Sequence, residues 1–91
     1  MRQVTSPEGQ QKKRELILLV EDNPDIMRIN SFFLSKAKGY RVEEATTLEE
    51  AERMAEAHGP DLVVMDILMP DGSGMDFCKK LRTTKNTPVL F

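Results

Sequence analysis

The chain has 91 residues, of which 13 are Lys or Arg and 15 are Asp or Glu, for a formal net charge of −2 at pH 7. That near-neutral balance implies no nucleic-acid or other polyanion partner, and no apolar run approaches the roughly 20 residues of a membrane span. Cys78 is the lone cysteine and His58 the lone histidine, which excludes an intrachain disulfide and a Cys/His zinc cluster; a reducing, cytoplasmic compartment fits.

The opening stretch, MRQVTSPEGQQKKRE, lacks the apolar core of a signal peptide and reads as a disordered arm over residues 1–15. One domain is expected over 16–91. A core of that size seldom supplies more than about 3–5 kcal/mol without staples.

LILLV (16–20) is a continuous apolar run of a length suited to a strand buried on both faces. Asn23 then offers a helix cap, and Pro24 fits the first helical position, where no N–H is needed. Ile26, Ile29, Phe33 and Ala37 fall on one face at helical spacing with Phe32 beside them, which predicts the buried stripe of the first helix. Gly39 ends it. YRVEEA (40–45) predicts a weaker strand near an edge.

Thr47 and Glu50 make the T-x-x-E capping box of a second helix, with Leu48, Ala51, Met54 and Ala55 as its inner stripe and Gly59-Pro60 as its stop. DLVVMD (61–66) is a second fully apolar strand. ILMPDGSG reads as a loop rich in turn residues. Ser73 caps a third helix whose inner face is Phe77, Cys78 and Leu81. NTPVLF (86–91) begins a fourth strand. Strict alternation of strand and helix predicts parallel β-α units in an α/β sandwich with right-handed crossovers.

Two of the buried strands end in acids: Glu21 and Asp22 after the first, Asp66 at the close of the third. Parallel strands share a carboxyl edge, where open α/β sheets bind ligands. If the first and third strands are neighbours, three carboxylates meet there. Two like charges about 4 Å apart repel by roughly 4 kcal/mol at an effective dielectric near 20, so the site needs protons or a cation. An all-oxygen site with room for water suits Mg²⁺, and beside that ion Asp66 could attack phosphorus to form an acyl phosphate.

Other polar residues have plainer readings. Acids after strands are often turn formers and caps, a role that Asp22 alone would fit and that Asp25, Asp61, Asp71 and Asp76 are assigned. His58 belongs to the last turn of the second helix. Met65, Met69 and Met75 are expected to pack rather than to line a cofactor site, and Cys78 to act as a small core hydrophobe.

Taken in order, the acidic pair Glu21-Asp22, Asp66 at the end of the third strand, the spacing Asp66-x-x-x-Pro70-x-x-x-Gly74, GYRVEEATTLEEA and TPVLF resemble the receiver domain of two-component response regulators from about Leu16 to Phe91. The resemblance implies a flavodoxin-like three-layer α/β/α sandwich with a parallel sheet of strand order 2-1-3-4. It implies that Asp66 accepts phosphate from a sensor histidine kinase or phosphotransfer protein. It further implies Mg²⁺ held by Asp22 and Asp66, by Glu21 mainly through water, and by the backbone carbonyl of Leu68, so that side chain is free to vary.

The family pattern also has a Ser or Thr ending its fourth strand and a Lys ending a fifth, positions that fall beyond Phe91, as does the final helix-strand-helix portion. A unit lacking those parts is expected to be marginal alone or to complete itself as a homodimer or swapped oligomer, with Phe32 and Phe33 in an exposed apolar patch. The competing reading is a truncated or pseudo-receiver fragment that binds a partner without phosphorylation. A phosphatase resembling the haloacid dehalogenases would need a second Asp where Leu68 stands, and Leu68 moves no proton.

Overall fold

Strand β1, Leu16–Val20, is buried at every position, as its unbroken apolar run requires. It is the centre of the molecule, which is described for residues 15–84 and 87–91 by a computed structural model. The arm expected over 1–15 lies outside the described residues apart from Glu15. Strand β2 (Arg41–Ala45) pairs with one side of β1 and strand β3 (Leu62–Met65) with the other, both parallel. A two-residue pairing, Leu68–Met69 (β4) against Gly72–Ser73 (β5), forms a small antiparallel hairpin. Strand β6 (Val89–Leu90) then adds to the outside of β3, giving the sheet order β2-β1-β3-β6. This is the 2-1-3-4 order implied by the resemblance, with the hairpin interposed where a plain loop was expected.

Helix α1 (Pro24–Phe32) starts as anticipated. The Asn23 side chain accepts from the N–H groups of Asp25 (2.9 Å) and Ile26 (3.1 Å), and Pro24 occupies the first turn. The helix runs on through a π-helical turn, Phe33–Ala37, where the Ser35 hydroxyl donates to the Ser31 carbonyl, and the chain leaves it through Gly39 at φ 76°. Helix α2 (Leu48–His58) ends at Gly59 in the left-handed conformation, and helix α3 (Gly74–Thr84) follows the hairpin.

The main core lies on one face of the sheet. Leu18, Val20, Ala45, Val63 and Met65 pack there against Ala51 and Ala55 of α2, Met69 of the hairpin, and Phe77 and Leu81 of α3, with Leu48 and Met54 at the margin. The inner stripes expected of the second and third helices are therefore the ones observed. Asp61, assigned to a cap or turn, accepts from the Leu16 N–H at 2.8 Å and so ties the start of β3 to the start of β1.

The stripe expected for the first helix is not the one observed. Met27 is the buried residue of α1, while Ile26, Phe33 and Ala37 are exposed, Ile29 is 66 % exposed and Phe32 is 65 % exposed. The periodicity is real, but it marks a face that no described element covers. Phe32 and Phe33, also expected in an exposed apolar patch, are both exposed, as are Leu90 and Phe91. Met75, expected to pack, is also exposed, whereas Met65 and Met69 are buried.

Burying a Leu fully contributes roughly 1.5–3 kcal/mol, so the two helix faces carry different weight. Leu18→Ala, at a site 1 % exposed, is expected to cost about 2–5 kcal/mol in urea unfolding. Ile29→Ala should change the midpoint little, by about 0.5 kcal/mol or less. Equal losses at the two positions would contradict the exposure of the outer face of α1.

Candidate metal centre

Register builds the site. In the parallel ladder Val20 stands opposite Met65, so the next residue on each strand, Glu21 and Asp66, emerges at the same level of the carboxyl edge. The Glu21 N–H donates to the Ala45 carbonyl at 3.0 Å, which carries the ladder one residue past β1. Asp22 follows before the α1 cap. Carboxylate oxygens of Glu21, Asp22 and Asp66 lie within 4.8 Å of one another, the one acidic, histidine or cysteine grouping of this kind among the described residues. The expected juxtaposition of these three acids is thus a feature of the structure.

Their environments differ. Asp22 and Asp66 are exposed, and Glu21 is only 7 % exposed. One Glu21 oxygen accepts from the Asn23 N–H at 3.1 Å. Burial holds the Glu21 carboxyl above its ordinary range; the Asn23 N–H opposes this, and the charges of Asp66 and Asp22 together with a hydrogen bond to Asp66 add to it. Two carboxylates at 4.8 Å repel by about 3 kcal/mol at an effective dielectric of about 20. A cation among the three would remove that penalty. All the donors are carboxylate oxygens, a set that fits a hard divalent ion such as Mg²⁺.

Leu68, expected to give a backbone ligand, sits in β4 with its side chain 80 % exposed. The segment after Asp66 is held at its far end by Gly74, whose N–H donates to the Ile67 carbonyl. A Cβ at Gly74 would stand 2.5 Å from the Asp66 carbonyl oxygen and 3.0 Å from that of Ile67, so the approach requires glycine. Sequence reasoning marked Gly74 only by its spacing from Asp66 and missed two other features. The Asn23 N–H on Glu21 follows from the helix cap and leaves no separate sequence signal. The hairpin has one, the Pro70-Asp71-Gly72 turn, but its strands are too short for alternation to show.

Residues 17–91 match the model of the response regulator receiver domain. The chain belongs to the response regulator receiver family. It is 39 % identical over 75 residues to the transcriptional regulatory protein KdpE of Mycobacterium tuberculosis, covering 82 % of this chain and 33 % of that one. Among solved structures it is similar to the non-phosphorylated HemR receiver domain from Leptospira biflexa, with a TM-score of 0.79, 38 % identity, and 86 % of this chain and 63 % of that one covered. It is also similar to the MaeR response regulator bound to beryllium trifluoride, with a TM-score of 0.77, 32 % identity, and coverage of 84 % and 64 %. The chain spans about a third of the length of the curated relatives it matches. Receiver domains are signalling modules that interact with histidine kinases and phosphotransfer partners and bind Mg²⁺ at an acidic cluster. The three acids of this receiver supply such a cluster.

The raised Glu21 carboxyl has a defined pH signature. A group raised in the folded state gives stability that is full below its ordinary value and is lost as pH rises through the raised one. Glu21→Gln keeps an oxygen for the Asn23 N–H and removes the charge. In EDTA at pH 7 the variant is expected to be more stable than the parent by about 1 kcal/mol or more, given the size of the repulsion relieved, and the gap should close toward pH 4. Mg²⁺ should stabilise the parent more than the variant. A gap independent of pH in thermal melts would contradict the assignment.

Proposed function

We propose that this chain is a phosphoacceptor of two-component signalling, with Asp66 taking a phosphoryl group from the phosphohistidine of a sensor histidine kinase or phosphotransfer protein. An Asp66 carboxylate oxygen attacks phosphorus, the phosphorus–nitrogen bond breaks, and the imidazole keeps the electron pair. The product is an acyl phosphate on Asp66. Asp66 suits this role because it is exposed at the end of a strand that is itself fixed in the sheet.

Glu21, Asp22 and Asp66, with the Leu68 carbonyl, would hold Mg²⁺, which neutralises charge on the transferring group. Buried Glu21 would contribute charge mainly through water. Residues 16–91 form the receiver unit, in a cytoplasmic protein. This is a module that is modified and read, not a turnover enzyme, and none of its proposed partners is a nucleic acid or a membrane. The observation that carries the reading is the meeting of the three carboxylates at the carboxyl edge of a receiver fold.

The test follows the chemistry. With Mg²⁺ and acetyl phosphate the protein is expected to gain one phosphoryl group, located at Asp66 by peptide mass spectrometry. Beryllofluoride, found on MaeR, should bind in the same conditions. Asp66→Asn should abolish both. Modification that survives this substitution would refute the assignment, as would an unreactive parent.

The reading extends to assembly. Among the described residues strand β6 has a free edge beyond β3, its Leu90 and Phe91 are exposed, and Ile29, Phe32 and Phe33 of the first helical segment are exposed apolar side chains as well. We expect a homodimer or swapped oligomer at micromolar concentration. Size-exclusion chromatography with light scattering checks this, and a monomer across the accessible concentration range would contradict it.

A further inference from the structure

The first turn of α2 is capped by an acceptor from another element, a carboxylate. The Asp71 side chain, at the tip of the β4–β5 hairpin, accepts from the Leu48 N–H at 2.9 Å with one oxygen and from the Glu49 N–H at 3.1 Å with the other. Thr47 takes the next amide, that of Glu50, at 3.1 Å. The Ala51 N–H closes on the Thr47 carbonyl at 3.0 Å. Three of the four N–H groups that a helix start leaves without intrahelical partners, those of Leu48, Glu49 and Glu50, are thus accounted for. The Glu50 carboxylate completes the expected capping box one residue early, on the Thr46 N–H at 2.8 Å.

The fork of two amides is a fixed bond between two pieces of structure 22 and 23 residues apart in the chain. The contact is tight. A Cβ on Gly72, next to Asp71, would stand 3.2 Å from the Leu48 side chain. The Asp71 carboxyl is held below its ordinary range, first by the Leu48 N–H and also by that of Glu49. It is therefore ionised wherever the protein is studied near neutrality.

The hairpin is thus pinned at two points. Gly74 fixes its base against the carbonyl groups of Asp66 and Ile67, and Asp71 fixes its tip to α2. Asp66 and Ile67 lie at the base contact, and Leu68, Met69 and Pro70 run from it to the tip. We propose that Asp71 is a positioning residue for the acidic centre: by clamping the hairpin tip to the first turn of α2 it holds the Asp66–Leu68 segment in the shape that binds the divalent ion. The proposal rests on the phosphoacceptor reading of Asp66. It assigns Asp71 no contact with ion or phosphate.

The test separates this tether from simple helix capping. Asp71→Ala and Thr47→Ala each remove a cap from the same helix start, but only the first cuts the link to the hairpin. Asp71→Asn keeps one acceptor oxygen and serves as the conservative variant. Two readouts are taken on the 91-residue chain: amide hydrogen exchange at Met69, Gly72 and Gly74 without metal, and Mg²⁺ affinity by calorimetry.

Asp71→Ala is expected to speed exchange at those amides and to weaken Mg²⁺ by about tenfold, the low end of what outer-shell partners of metal ligands contribute. Thr47→Ala should speed exchange at Glu50 and leave the hairpin and the Mg²⁺ affinity unchanged. Asp71→Asn should fall between. Equal effects of Asp71→Ala and Thr47→Ala on Mg²⁺ would overturn the proposal, since helix integrity alone would explain them, as would an unchanged affinity in Asp71→Ala. A parent chain that binds no Mg²⁺ would defeat the phosphoacceptor reading and this role with it. The exchange contrast would then identify Asp71 as a cap between two elements and nothing more.

Discussion

The pairing of Val20 with Met65 in the parallel β1–β3 ladder is the constraint on which the rest depends. Side chains alternate across a strand, so a slip of one residue would turn every core side chain of β3 to the opposite face. The same slip would separate Glu21 from Asp66 by one residue along the edge. The hydrophobic burial of Leu18, Val20, Val63 and Met65 therefore fixes the position of the acids. Several residues that want to be out of water hold together three carboxylates that would otherwise move apart.

That balance explains why the acids differ in exposure. Asp22 and Asp66 face solvent, where their charge is screened, and Glu21 alone is drawn in under the Asn23 N–H. The α1 cap thus serves two purposes. The Asn23 side chain starts the helix, and its backbone amide meets the buried acid. A change at residue 23 that spared the backbone would weaken the helix and leave the amide available.

Much of this was legible in the residues because it rests on local patterns. Unbroken apolar runs placed β1 and β3, the Thr47 cap and Gly59 bounded α2, and the Asp66-Pro70-Gly74 spacing marked the edge of the site. The first helix was misread for a physical reason. Periodicity reports which side of a helix is apolar and says nothing of what covers it. Ile29 and Phe32 form as regular a stripe as Ala51 and Ala55, yet one face packs on the sheet and the other meets solvent. The Asp71 fork was illegible for the opposite reason. Its partners are backbone amides more than 20 residues away, and a backbone amide has no sequence signature. Asp71 could be assigned to caps or turns in general, but the helix it caps belongs to another unit of the fold.

The short hairpin shows how a small domain can hold a reactive loop without extensive packing. Its two strands contribute only the pairs Leu68–Ser73 and Met69–Gly72, and isolated two-stranded ribbons are marginal in water. Its stability comes from elsewhere: Met69 enters the main core, Gly74 lets the base close on the chain after Asp66, and Asp71 anchors the tip. Leu68 is left pointing outward, so the segment's side chains carry little of the load and its backbone is free to serve the edge. The glycine and the aspartate act on different terms. The first removes a steric obstacle in any solvent, and the second supplies a charge-assisted bond that needs an ionised carboxylate. The base of the hairpin is consequently indifferent to pH, while its tip loosens only in acid strong enough to protonate Asp71, below the range where an ordinary aspartate titrates. Glu21 departs in the other direction. In moderately acidic solution Glu21 therefore holds its proton while the hairpin tip beside the acids stays clamped by an ionised Asp71.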